Sequence, residues 1–226
     1  MSQHDLPAAF DEIVRRRRSV RGFLPTPVPR DELRQLFATA GCAPSNCNTQ
    51  PWKVYVVSGA ARDRLAQEIA SDMARGVLSP DYPYEGRYEG IYQQRQHDAA
   101  RQLYQAMGIA RDDRAARDAA MMRNFDFFGA PHVAFFFLPR GFGIREAADL
   151  GMCAQTLMLA LSAHGLASCA QTTLGFHPQR VREVVAAPES ETLLFGISLG
   201  YEDPEQPANA ARVGRGQLEQ NFSFVE

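Results

Sequence analysis

Apolar positions recur along the chain at two spacings, and the switches between them divide it into elements. Phe10, Ile13 and Val14 fall on one helical face and predict a first helix over about residues 6–17. A second follows Pro29, with Leu33, Leu36, Phe37 and Ala40 on one face and Gly41 as its stop. Trp52 to Val57, rich in aromatic and β-branched residues, predicts a strand, and Leu65, Ile69 and Met73 predict a third helix. Pro131 to Pro139 (PHVAFFFLP) reads as a buried strand. Ala147, Leu150, Ala154, Leu157, Leu161 and Leu166 then recur at helical spacing, and Gly165 ends that helix. This stretch is apolar on nearly every face, which predicts a central helix buried all round. Pro178 suits the first turn of a short helix, and Leu193 to Tyr201 is the last strand. The ending NFSFVE places Phe222, Phe224 and Val225 so as to suit strand addition to a sheet edge.

The segment from about residue 75 to 124 breaks this pattern. A Tyr-Pro-Gly cluster, SPDYPYEGRYEGIY, leads into a polar stretch with too few apolar positions for a core of its own. It reads as a partly helical excursion from a single domain spanning 1–226. The element order is α-α-β-α-(excursion)-β-α-β-α-β-tail. Because helices precede the first strand, a mixed sheet with helices on both faces fits better than a Rossmann arrangement.

Charge and composition narrow the function classes. The 226 residues carry 24 Lys and Arg against 26 Asp and Glu, a net charge of −2, so no basic excess argues for a nucleic-acid partner. No apolar run approaches the ~20 residues that span a bilayer, and the N-terminus has no signal-peptide core, so the expectation is a cytoplasmic protein. Four cysteines (Cys42, Cys47, Cys153, Cys169) form no CxxC pair, and the five histidines are scattered, so neither a disulfide framework nor a metal site is indicated. There is no GxGxxG after a strand, no GxxxxGK[ST] and no GxSxG.

Four segments carry candidate chemistry. Arg15-Arg16-Arg17-Arg18-Ser19-Val20-Arg21 can hold a phosphate through charge-assisted bonds, or can be a solvated basic helix end. Pro44-Ser45-Asn46-Cys47-Asn48-Thr49-Gln50-Pro51-Trp52 can present donors and carboxamides to a planar heteroaromatic ligand, or can be an Asn- and Ser-rich turn. Gly165 to Thr173 is a helix stop leading into a polar run, and Arg212 and Arg215 sit three apart near the C-terminus.

In this order and spacing the segments resemble the FMN-dependent nitroreductase family, in Arg17-Arg18-Ser19-Val20-Arg21, Pro44 to Trp52, Ala130-Pro131, Gly165-Leu166, Gly200-Tyr201 and Arg212/Arg215. The resemblance covers almost the whole chain. It implies an α+β nitroreductase-like three-layer fold, with a central mixed, mostly antiparallel sheet flanked by helices. It also implies an intertwined homodimer whose C-terminal tails, about residues 202–226, cross to the partner. It further implies bound FMN, with Arg17, Arg18, Ser19, Arg21, Arg212 and Arg215 at the phosphate and ribityl chain. Pro44, Ser45, Asn46, Asn48 and Gln50 would line the isoalloxazine from the other subunit, Gln171 and Thr172 would meet its other edge, and Asn124 is a further flavin or substrate contact. NAD(P)H would be the co-substrate in a ping-pong reduction of a nitroaromatic compound, with no side chain nominated as general acid or base.

Under the same resemblance, residues 75–124 form a lid over the pocket. Tyr82, Tyr84, Tyr88 and Tyr92 would stack on an aromatic substrate and Arg87 or Arg95 would meet a carboxylate; alternatively the tyrosines only pack the lid. Other acceptors, such as a quinone, an activated alkene, a carbon–halogen bond or the flavin itself, suit the same chemistry. Readings from other classes are a non-catalytic anion- or nucleic-acid-binding module built on Arg15–Arg18 and a thiol hydrolase built on Cys47.

Overall fold

A computed structural model describes residues 5–226 of the chain; residues 1–4 lie outside that description. The helices are α1 (Leu6–Arg16), α2 (Arg30–Ala40), α3 (Gly59–Ala74), α4 (Gly90–Ala106), α5 (Arg114–Met122), α6 (Ile144–Ala163) and α7 (Pro178–Val185). The strands are β1 (Lys53–Ser58), β2 (His132–Pro139), β3 (Ala167–Gln171) and β4 (Glu191–Gly200). The element order read from periodicity therefore holds, and the excursion contains α4 and α5.

The strands form one sheet in the order β1-β2-β4-β3, and every neighbouring pair is antiparallel. The parallel component of the expected mixed sheet is confined, among the described residues, to a single bridge between Ser19 and Ser168. Strand β2 explains why its sequence is a continuous apolar run. Val133, Phe135 and Phe137 enter a core shared with α3 and α7, while Ala134, Phe136 and Leu138 enter a second core shared with α2 and α6. Period-two alternation thus feeds both faces of a three-layer arrangement. Each buried Phe here stabilises by roughly 1.5–3 kcal/mol relative to exposure.

Helix α6 corrects the expectation of burial all round. Leu150, Cys153, Ala154, Leu157 and Leu161 are buried, but Ala148, Gly151, Met152 and Gln155 face outward. Its own chain covers only one side of an apolar helix. The tail likewise forms no strand within its own chain: residues 212–226 run exposed, with Phe224 81% and Val225 95% accessible.

The base of the excursion is fastened to the sheet. Asp81 pairs with the buried Arg182 and accepts the Leu193 N–H at 2.7 Å, and the Tyr82 hydroxyl bonds Thr192 Oγ1 at 2.8 Å. The far end of the excursion is different in kind, because neither α4 nor α5 buries a single residue.

Candidate active site

Where α1 ends, the chain turns extended and lies beside β3, with the Val20 N–H donating to Ser168 O at 3.0 Å. In extended backbone alternate side chains share a side, so Arg17, Ser19 and Arg21 are grouped while Val20 enters the core. Arg18 is directed elsewhere: it pairs with Glu202, and its Nη1 is buried without a partner. Burial and the neighbouring Arg215 guanidinium both lower the pKa of Arg17. Beneath the group sits Cys169. Burial raises its thiol pKa, against the opposing pull of Arg21, a hydrogen bond to Ser19 and Arg17.

A C-terminal segment locks this group in place. Asn209, which is buried, accepts the Arg21 N–H on Oδ1 at 2.7 Å and donates to Gly22 O and Asp203 O, both at 2.9 Å. Gly22 is required there, since a Cβ would collide with Gln206. Arg212 donates to Asn209 O at 2.6 Å, and Arg215 donates to Val213 O and Gly214 O at 3.0 Å. Among the described residues Arg17, Arg21, Arg212 and Arg215 form no ion pair with a carboxylate, although the chain as a whole is slightly acidic.

Gln171 and Asn124, far apart in sequence, meet at the end of β3. Gln171 Nε2 donates to Asn124 O at 3.0 Å and Oδ1 at 3.3 Å, while its Oε1 accepts from Ser198. A cavity of about 220 Å³ joins Asn124 to Arg21, with Tyr104, Met107, Met121 and Phe128 in its wall. Thr172 follows Gln171 and is exposed.

The turn after Asn124 is held under strain. Phe127 and Phe128 both have left-handed backbone, φ 54° and 56°, which is costly for aromatic residues. Arg62 clamps it. Its Nε donates to Ala130 O at 3.0 Å, its Nη2 reaches Asp126 O and Oδ1, and its guanidinium lies 5.1 Å from the Phe127 ring centroid. Arg62 was not singled out from sequence, because an arginine in an ordinary helical run gives no signal of a partner 64 residues away.

The loop 44–50 stands apart. Cys47, Asn48 and Gln50 have φ of 50°, 54° and 47°. Asn46 N–H donates to the Asp149 carboxylate at 3.0 Å, Gln50 N–H donates to Ser45 Oγ at 2.9 Å, and Gln50 Nε2 donates to Asn48 Oδ1 at 3.2 Å. Asp149, the anchor, lies in the first part of α6. Ser162, at the other end of α6, lines a cavity with Arg17 and Arg18. About 20 Å of helix rise separates these two points. One chain therefore does not bring Pro44, Ser45, Asn46, Asn48 and Gln50 to its own arginine group.

The excursion residues divide. Tyr82 is engaged by Thr192, and Arg95 donates to Asn221 Oδ1 at 3.1 Å and Gln220 Oε1 at 3.0 Å in the tail. Tyr84 packs on Phe176 at 5.5 Å, and burial and its neighbour Tyr88 raise its hydroxyl pKa. Arg87, Tyr88 and Tyr92 are exposed. Cys47 Sγ contacts Asn46 Oδ1 at 3.6 Å and no histidine, and no group of side chains among the described residues suits a metal ion.

The profile of the nitroreductase family matches residues 14–201. The chain is 45% identical to the nitroreductase NfnB of Mycolicibacterium smegmatis, over 97% of this chain and 94% of that protein. It is 37% identical to a 4-nitrobenzoate reductase of a Nocardioides species, over 97% and 92%. Its structure superposes with a TM-score of 0.94 on the crystal structure of the FMN-dependent NfnB from Mycobacterium smegmatis in complex with NADPH, at 44% identity and covering 98% and 100% of the two chains. A family match over most of the length, together with relatives of this identity and coverage, places the chain in the nitroreductase family.

Proposed function

We propose that the protein is an FMN-dependent oxidoreductase that uses NAD(P)H to reduce nitroaromatic or similarly electron-poor compounds. The observation that carries the reading is a set of four guanidinium groups without carboxylate partners: Arg17 and Arg21 on the side of Ser19, Arg215 beside Arg17, and Arg212 on the Asn209 segment that fixes Arg21. Arg17 and Arg215 repel each other, and a flavin phosphate between them offsets that repulsion. The chemistry the flavin supplies is the relay of two electrons from the nicotinamide to an acceptor that follows it into the same space.

The residues of the chain do the holding. Arg17, Ser19, Arg21, Arg212 and Arg215 bind the phosphate and ribityl end. Asn209 fixes the Arg21 backbone, and Gln171, Asn124 and Thr172 border the ring. Pro44, Ser45, Asn46, Asn48 and Gln50 serve the site of a second subunit, which is how the two ends of α6 both contribute. The protein is therefore proposed to act as an intertwined homodimer. Its α6 faces meet, and the exposed end of each tail, beyond the Asn221 that Arg95 of its own chain holds, lies on the other subunit along the groove beside β1, a space of about 730 Å³ lined by Leu33, Phe37, Trp52 and Val54 with Arg30 and Arg34 at the rim. Residues 75–124 act as the lid, with the exposed Arg87, Tyr88 and Tyr92 as the groups that meet substrate. The reducing cytoplasm, where NAD(P)H is made, is the compartment this reading implies, and the four cysteines are all free.

An absorbance spectrum of the purified protein tests the reading first. Flavin bands at about one FMN per chain are expected, followed by NAD(P)H oxidation that depends on an added nitrobenzoate. A colourless protein that takes up no added FMN overturns it. The hydrolase and nucleic-acid alternatives predict neither colour nor NAD(P)H turnover.

A further inference from the structure

Helices α4 and α5 bury no residue of their own, yet they enclose a cavity of about 720 Å³. Its wall includes His97, Arg101, Tyr104, Gln105, Arg111 and Arg117. Among the lining carboxylates only Asp98 faces it, and that group is bound to Arg101 at 2.6 Å. Two nearby acidic groups are also engaged: Asp113 accepts the Ala116 N–H at 2.9 Å, and Asp118 pairs with Arg114 at 3.8 Å. The lining therefore keeps a positive excess. Arg111 and Arg117, moreover, form no ion pair among the described residues, so no carboxylate of the chain offsets their charge.

Tyr104 also lines the smaller cavity that holds Arg21 and Asn124, so a single side chain separates the two spaces. An elongated ligand can then have one end in each. We propose that the larger cavity receives the 2′-phosphorylated adenosine end of NADPH, with Arg111 and Arg117 on the 2′-phosphate and the Tyr104 and His97 rings against the base. Several guanidinium groups suit a phosphate dianion better than the single charge of a substrate carboxylate, and the volume suits a nucleoside rather than a bare anion. The assignment rests on the flavin reading above for the identity of the neighbouring space, and it makes this cavity the determinant of preference for NADPH over NADH.

The test uses the full-length protein as purified. Calorimetric titration with adenosine 2′,5′-bisphosphate, 5′-AMP and inorganic phosphate, each separately, is expected to show the bisphosphate binding at least about tenfold tighter than either of the others. Arg117→Ala, and independently the exposed Arg111→Ala, should remove that advantage. In turnover, each should lower the ratio of NADPH to NADH kcat/KM by about tenfold. An unchanged ratio, or bisphosphate binding equal in variants and wild type, overturns the proposal. So does inorganic phosphate binding as tightly as the bisphosphate, which would make the cavity a site for free anions. The titration does not need bound flavin, so a failure of the flavin reading would abolish turnover while leaving this binding to be read on its own.

Discussion

Apart from the single Ala186 that ends α7, two stretches among the described residues hold non-glycine residues in left-handed backbone, and they are held in opposite ways. The turn containing Phe127 and Phe128 is packed into the core, and Arg62 binds it through a carboxylate, two carbonyls and a ring face. The loop containing Cys47, Asn48 and Gln50 is exposed; it is tied to the rest of the chain by Asp149, with the other bonds lying inside the loop. In the first case packing within the chain offsets the strain, as expected for a device that fixes Asn124 against Gln171. In the second, little in the chain offsets it. Strain of that kind persists where a ligand or partner completes the surroundings.

Removing the clamp should have the largest effect. Arg62→Ala strips the partner from the buried Ala130 carbonyl, frees the exposed Asp126 and removes the largely buried guanidinium from the Phe127 ring, and should lower unfolding free energy by about 3 kcal/mol in urea titrations. A loss under about 1 kcal/mol would mean the packed turn holds itself. Asp149→Ala should behave differently, costing about 1 kcal/mol of stability while weakening FMN about tenfold in a fluorescence titration. Equal retention of FMN would detach the loop from the site. Cys47→Gly should stabilise the fold by about 0.5 kcal/mol, since relief of the left-handed cost exceeds the added chain entropy. The same change at Phe128 should destabilise it through lost packing.

A pH titration separates the two stretches at smaller amplitude. His132, just beyond the clamped turn, accepts the Val28 N–H on Nε2 at 2.9 Å, which places its proton on Nδ1 facing Ser58 Oγ at 2.5 Å. Burial lowers its pKa, so the unfolded chain binds the proton more readily. Stability is then full above about pH 6.5 and falls as pH drops from there towards the folded-state value. The urea midpoint of wild type should decline from pH 7.5 to 5.5 more steeply than that of His132→Gln, and parallel declines would remove His132 from the account.

Much of the fold was legible because it is local. Helical spacing marks α1, α2, α3 and α6, and PHVAFFFLP marks β2 because both its faces are covered. The arginine run was visible in the sequence, but the residues alone left it open between an anion site and a solvated helix end, and only the family resemblance assigned it to a phosphate. The anchors were not legible. Arg62, Asp149 and Asn209 act on residues 64, 103 and 188 positions away, and no neighbouring residue hints at those partners. Residue type also says nothing of direction. Tyr82 and Arg95 have the chemistry to hold an aromatic acid, yet one is fastened to β4 and the other to the tail. The cavity between α4 and α5 lacks any periodic signature because the helices around it bury nothing.

The separation of Asp149 from the Ser162 end along α6 has a genetic consequence. In the proposed dimer each site draws its arginines from one copy and its Asn48 loop from the other. A gene carrying Arg17→Ala and a gene carrying a defective 44–50 loop would each encode an inactive protein. Expressed together, they should form mixed dimers with one intact site and one doubly defective one. Two null alleles would then complement each other, with each mixed dimer restoring half the normal number of working sites.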